Sequence, residues 1–245
     1  MWPPGSNRPT VRLLLACLMA ATLASARATE GYVASVQPLA TQAGLDALKA
    51  GGNAIDAAAA VALTLGVVDG HNSGIGGGCF FLARLANGTL VAIDGRETAP
   101  AKATRDMYLK DGKPVSELSK TGPLASATPG ALAVYEEAVR KHGKLPFSKA
   151  LEAGIRHADE GFAIDRVYAK KLAGQATNLA LFPASKAIFL KADGLPYVEG
   201  EKIVQKDLAE SYRKIAKEGS DWFYRGAFSR AVDQYMKESG GILTA

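Results

Sequence analysis

Arg96 stands in "VAIDGRETAP", residues 91–100, between a β-rich run and a proline, with Asp94 and Glu97 as its nearest ionisable neighbours. A guanidinium is planar and permanently charged, and it grips a carboxylate through two parallel hydrogen bonds. Held rigidly, Arg96 would be a recognition group for a carboxylate ligand. The alternative is a local ion pair with Asp94 or Glu97, which contributes little when exposed. Residue type and spacing leave both readings open.

The other chemistry-bearing residues read as structural. Cys79 leads into "FFLARL" and fits a buried strand position, where a thiol is inert. The glycine-rich "GIGGG", Gly74 to Gly78, lacks the Lys-Ser/Thr of a P-loop, and it leads into a strand rather than a helix. Its glycines suit a tight turn and close packing against an alanine-rich helix. His71, His142 and His157 lie too far apart for a metal-ligand spacing, so no metal is expected. Glu136-Glu137 and Asp159-Glu160 fall on helix faces or ends, where solvated charge is the norm.

The elements that must position Arg96 follow from periodicity. Residues from Gly31 to Asp69 predict a short strand and two helices. Leu39, Leu45 and Leu48 mark the first helix, which Gly51-Gly52 stop; Asn53 caps a second, so apolar on all sides that it should lie buried between layers. Cys79–Leu85 and "TLVAI" flank Asn87-Gly88, the signature of a hairpin with a type I′ turn. Arg96 then falls just beyond the second strand, on a rigid edge. Residues 102–123 are polar and read as an irregular surface excursion. Thr128 reads as an N-cap with Pro129 at the first helical position. Further helices follow, with Leu151, Ile155 and Ala158, then Leu208, Tyr212 and Ile215, then Phe228, Val232 and Tyr235 on their apolar faces. Strands first and helices afterwards, without βαβ alternation, give an α+β chain with a hairpin covered by helices.

The 245 residues are 48% hydrophobic, enough for a sizeable core, and the formal net charge is +5. The basic residues are interleaved with acids, as in "KALEAGIRHADEG", so no nucleic-acid partner is expected. Residues 1–26 carry Arg8 and Arg12 without an acid, then "LLLACLMAATLASA", ending in Ala24-Ser25-Ala26. A basic stretch, a short apolar run and an A-x-A site make a signal peptide, and the run is too short for a membrane anchor. The expectation is export to the periplasm or secretion. Cys17 leaves with that segment, Cys79 is then unpaired, and no disulfide framework supports the fold.

"PLATQAGLDALKAGGNAIDAAAAVALTLGVVDGHNSGIGGG", "DGRETAP", "KLPFSKALEAGIRHADEGF", "WFYRG" and "GGILTA" occur in this order. The series resembles the γ-glutamyltransferases (glutathione hydrolases) of the N-terminal-nucleophile hydrolase superfamily, from about Gly31 to Ala245. The resemblance implies a four-layer αββα sandwich, present here in part, with residues 27–245 forming the N-terminal portion of the large subunit. It implies a precursor that cuts itself into two subunits. The new N-terminal threonine then attacks the γ-glutamyl amide of glutathione or a related donor and passes the acyl group to water, an amino acid or a peptide. No cofactor is implied. Arg96, in the "DGRETAP" motif, is implied to pair with the α-carboxylate of the γ-glutamyl group.

The nucleophilic threonine and the self-cleavage site are expected beyond Ala245. Thr128 precedes a proline at a helix start, and Thr98 and Thr244 have no matching context. The expectation is a chain inactive alone, with the C-terminal small-subunit part as its obligate partner and with apolar faces exposed in that part's absence. Two alternatives stand beside it: an acylase of the same superfamily acting on glutaryl-type amides, and a non-catalytic secreted fragment that binds a partner or a γ-glutamyl ligand.

Overall fold

The computed structural model describes residues 31–245; the expected signal segment, residues 1–26, lies outside them. The strand expected before the first helix is not formed: residues 31–35 are irregular. Helix α1 (Pro38–Lys49) begins with Pro38 in its first turn, and the Gln37 side chain accepts the Leu39 N–H at 2.6 Å. Gly51, at φ 89°, turns the chain out of it. Asn53 caps α2 (Ala54–Val68) as expected: its Oδ1 accepts from Ile55 N, and Asp56 Oδ2 accepts the Asn53 N–H in return, a capping box. Buried residues lie around α2, from Ile55 and Ala59 to Leu63 and Val68, and it packs against α1.

Strands β1 (Cys79–Arg84) and β2 (Leu90–Gly95) form an antiparallel hairpin, with Cys79 opposite Gly95 and Arg84 opposite Leu90. Its turn differs from the expected type I′. Gly88 N donates to Leu85 O, and Gly88 alone has positive φ (87°), Asn87 having none. A type I turn followed by a left-handed glycine, the three-residue loop with a bulge, meets both conditions. Asn87 instead accepts the Thr89 N–H on its side chain. A second hairpin, β3 (Leu109–Lys110) with β4 (Lys113–Pro114), occupies the stretch expected to be irregular. There Asp111 and Gly112 both have positive φ (51° and 72°), the type I′ signature.

Helix α3 (Ala131–His142) starts two residues later than expected. Thr128 is not its cap but pairs across a β-bridge with Thr98, and Gly130 takes the cap position. Helix α4 (Phe147–Glu160) buries Ala150, Leu151, Gly154 and Ala158 against α2. Strand β5 (Phe162–Ala163) pairs with β6 (Lys202–Ile203), which closes off α5 (Arg166–Ala180) and α6 (Pro183–Phe189). Helix α7 (Lys206–Glu218) packs on α4, burying Ala209, Tyr212 and Ile215. The Tyr212 hydroxyl donates to Leu63 O of α2 at 3.0 Å, across the α4 backbone at Gly154, where a Cβ would lie 2.8 Å from the tyrosine ring. The short α8 (Asp221–Tyr224) and α9 (Ala227–Ser239) follow. On α9 it is Met236 that is buried, while Tyr235 is exposed.

The fold is therefore α+β, with α1, α2, α4 and α7 side by side as a helical layer and α3 between that layer and the hairpin. Phe81 of β1 packs with Ile55, Val134 and Ala138 on the helix side. The opposite face of the hairpin is open, with Phe80, Leu82 and Leu90 exposed to 65%, 79% and 76%. One helical layer and one sheet layer are thus in place among the described residues, with an apolar sheet surface turned to solvent.

Candidate functional site

The last residue of β2, Gly95, lies directly against Gly130 at the start of α3. A Cβ on Gly130 would fall 2.8 Å from the carbonyl carbon of Gly95 and closer still to its oxygen. Only glycines permit this approach of two backbones. Gly77, in the glycine-rich turn, accepts from both Gly130 N (3.0 Å) and Ala131 N (3.1 Å), so its carbonyl satisfies two of the N–H groups that a helix start leaves unpaired. None of Gly74 to Gly78 has positive φ. Their use is close approach: a Cβ on Gly66 of α2 would meet the Gly74 Cα at 3.2 Å, as expected for packing on the alanine-rich helix. Gly130→Ala is predicted to force β2 and α3 apart, costing about 1–3 kcal/mol by overpacking. Urea unfolding checks it; an unchanged midpoint would show that the contact has room to give.

Arg96 follows this contact directly. Its N–H donates to Asp94 Oδ1 at 2.9 Å, and two residues on Thr98 and Thr128 exchange main-chain hydrogen bonds of 3.2 and 2.9 Å. The main chain is held on both sides of the arginine. Its side chain reaches the rim of a groove of about 370 Å³ between the end of β2 and the first turn of α3, lined also by Thr98, Thr128, Pro129 and Glu137.

Of the two local partners expected for the guanidinium, the structure provides one. Arg96 Nε lies 3.4 Å from Glu97 Oε2, whereas the Asp94 carboxylate serves the main chain. The Arg96 side chain is 71% exposed and that of Glu97 28%, and an ion pair whose cation lies largely in water contributes little to stability, about 0–1 kcal/mol. Its geometry is more informative. Glu97 Oε2 is buried without a hydrogen bond of its own, tucked against Gly78, where a Cβ would come within 2.6 Å. Glu97 thus faces the Nε side of the guanidinium. The two terminal nitrogens have no partner among the described residues, and they form the fork that accepts a carboxylate.

Cys79 sits behind this rim, and burial pushes its thiol above the ordinary cysteine range; a hydrogen bond with Tyr135 works against that rise and the nearby Glu97 adds to it. Burial raises Tyr135 as well. A thiol kept protonated and paired with a tyrosine rather than a histidine is a poor nucleophile. His71 lies elsewhere, 3.2 Å from Asp69 and edge-on to Tyr168. Among the described residues no three His, Cys, Asp or Glu side chains converge as metal ligands. The roles of Gly77, Gly78 and Gly130 escape a sequence reading because each depends on a partner brought from another element; the one sequence signal is the glycine itself.

The family profile described as gamma-glutamyltranspeptidase matches residues 40–245. The glutathione hydrolase proenzyme of Escherichia coli (strain K12) is 44% identical over 220 residues, covering 89% of this chain and 38% of that protein. The acylase ACY 1 proenzyme of Pseudomonas sp. (strain V22) is 39% identical over 225 residues, covering 89% and 40%. The crystal structure of Helicobacter pylori gamma-glutamyltranspeptidase superposes with a TM-score of 0.85 at 40% identity, covering 87% of this chain and 62% of that one. The chain thus spans well under half the length of these curated relatives. With the profile match across residues 40–245, it belongs to the gamma-glutamyltranspeptidase family.

Proposed function

We propose that this chain supplies the carboxylate-recognition part of an enzyme that hydrolyses or transfers γ-glutamyl groups from glutathione and related amides. The observation that carries the reading is Arg96: a guanidinium engaged on its Nε side by Glu97, with its terminal nitrogens free at a groove rim and its main chain anchored before and after. In this role Arg96 grips the α-carboxylate of the donor and so holds the γ-amide in line for attack. The acyl-transfer step, through a threonine nucleophile, is assigned to residues outside this chain, with water, an amino acid or a peptide as acceptor. Export rests on the sequence of residues 1–26. Among the described residues no helix is long and apolar enough to cross a membrane.

A second reading is favoured by the similarity to the Pseudomonas acylase. A glutaryl amide carries the same terminal carboxylate as a γ-glutamyl amide and lacks only the α-amino group. Arg96 serves both equally, and discrimination falls to whatever contacts the ammonium. Comparing γ-glutamyl and glutaryl anilides with the full-length protein separates the readings. The γ-glutamyl donor is expected to win by at least about tenfold in kcat/KM, as unpaired polar groups in a dedicated site exact a large penalty. The reverse preference would establish the acylase reading, and cleavage of neither would leave both without support.

A further inference from the structure

The β1–β2 ladder ends at the pair Cys79 and Gly95, so the Arg96 N–H lies one residue beyond the last strand partner. Asp94 Oδ1 takes that N–H at 2.9 Å, closing a side-chain-to-main-chain turn over residues 94–96. Asp94 is exposed on the open face of the hairpin, and among the described residues this is the one hydrogen bond of its side chain. Among the described residues its side chain supports no core contact and pairs with no cation. Its carboxylate is spent entirely on the direction in which the chain leaves the sheet. The Thr98–Thr128 bridge anchors the chain only from the far side. Without Asp94, residues 96 and 97 would be held only through the ladder pair at Gly95 and the bridge at Thr98, and Arg96 would sample more directions.

We propose that Asp94 is a positioning residue for carboxylate recognition. By accepting the Arg96 N–H it ends β2 in a turn that aims the guanidinium over the groove, and the property used is the acceptor oxygen, not the charge. This rests on the assignment of Arg96 to the donor's α-carboxylate. A role in donor binding alone predicts a change in KM with kcat preserved. It also predicts that asparagine, which keeps the Oδ1 acceptor, will serve in place of aspartate.

The test compares Asp94→Ala, Asp94→Asn and Arg96→Ala in the full-length protein, with kcat and KM for a γ-glutamyl anilide and the thermal midpoint of each. Asp94→Ala is expected to raise KM about fivefold to tenfold, the loss of one hydrogen bond's worth of ordering, with kcat within about twofold. Asp94→Asn is expected to restore KM, and all midpoints should agree closely with the parent. Three outcomes would count against the idea. A normal KM in Asp94→Ala beside an impaired Arg96→Ala removes Asp94 while leaving the role of Arg96 intact. An Asp94→Asn as weak as Asp94→Ala points to charge, such as direct contact with a donor ammonium, and overturns the turn mechanism. A normal KM in Arg96→Ala takes away the reading on which the proposal is built.

Discussion

Arg96→Ala in the full-length protein should raise KM for γ-glutamyl donors by about two to three orders of magnitude, with a smaller effect on kcat. Truncating one partner of a charged, hydrogen-bonded pair costs about 2–5 kcal/mol, and each 1.4 kcal/mol is a factor of ten. Most of that cost arises because the donor's carboxylate would lose a partner for which it gave up its water. Arg96→Lys should recover only part of the loss, since an ammonium presents a point charge rather than a fork. Fold stability should change by no more than about 1 kcal/mol in either variant, because the Arg96 side chain is largely in water. Unaltered donor kinetics in Arg96→Ala would remove the assignment.

The largest effect on stability is expected at Asp56. This buried carboxylate accepts the Asn53 N–H at 2.8 Å, and from the α3–α4 connection it accepts Lys144 N at 2.9 Å and Leu145 N at 3.1 Å. Asn53 adds a second tie from the same turn, its Nδ2 donating to His142 O at 2.7 Å. One helix start therefore fixes both the end of α3 and the beginning of α4. Asp56→Ala would strand three peptide N–H groups, each costing about 1–3 kcal/mol when left unpaired in the interior. A loss on the order of 4 kcal/mol follows, and for a domain of this size it lowers the thermal midpoint by about 8–16 °C. Asp56→Asn should fall between, because one of its two polar atoms is a donor facing other donors. A midpoint within about 2 °C of the parent for Asp56→Ala would show that water satisfies these groups.

Asn53 and Thr128 show what could be read from sequence and what could not. An asparagine followed three residues later by an aspartate closes its cap within four residues, so the start of α2 was legible. Thr128-Pro129 carries an equally good local signal for a helix start, yet Thr128 is claimed by Thr98, thirty positions away, and the helix waits for Gly130. Asn87-Gly88 marked the hairpin correctly but not its turn, because Asn87 keeps a negative φ and Gly88 alone takes the left-handed conformation. The hairpin's two faces were also hidden: "CFFLARL" is apolar on both, and only the packing shows Phe81 inward with Phe80 and Leu82 outward. Helix α5 leaves little trace in the sequence because Tyr168 and Leu172 alone are buried on it, and its one local signal is the cap residue Asp165, which accepts the Tyr168 N–H. At the site, the position of Arg96 beyond a rigid strand was legible. The seat of Glu97 under Gly78 was not, since it needs the neighbouring strand in place.

Recognition of the donor's α-carboxylate by Arg96 is tested most directly by deleting the carboxylate and the arginine in turn. The measurement is KM for a γ-glutamyl anilide and for its 4-aminobutyryl counterpart, which lacks only the α-carboxyl group, in the parent enzyme and in Arg96→Ala. If the two groups meet, the parent favours the γ-glutamyl donor by about a hundredfold or more, and Arg96→Ala distinguishes the two donors hardly at all, as expected for groups that act as one pair. If Arg96→Ala keeps the parent's full preference for the carboxylated donor, that carboxylate is bound elsewhere and Arg96 is a surface charge.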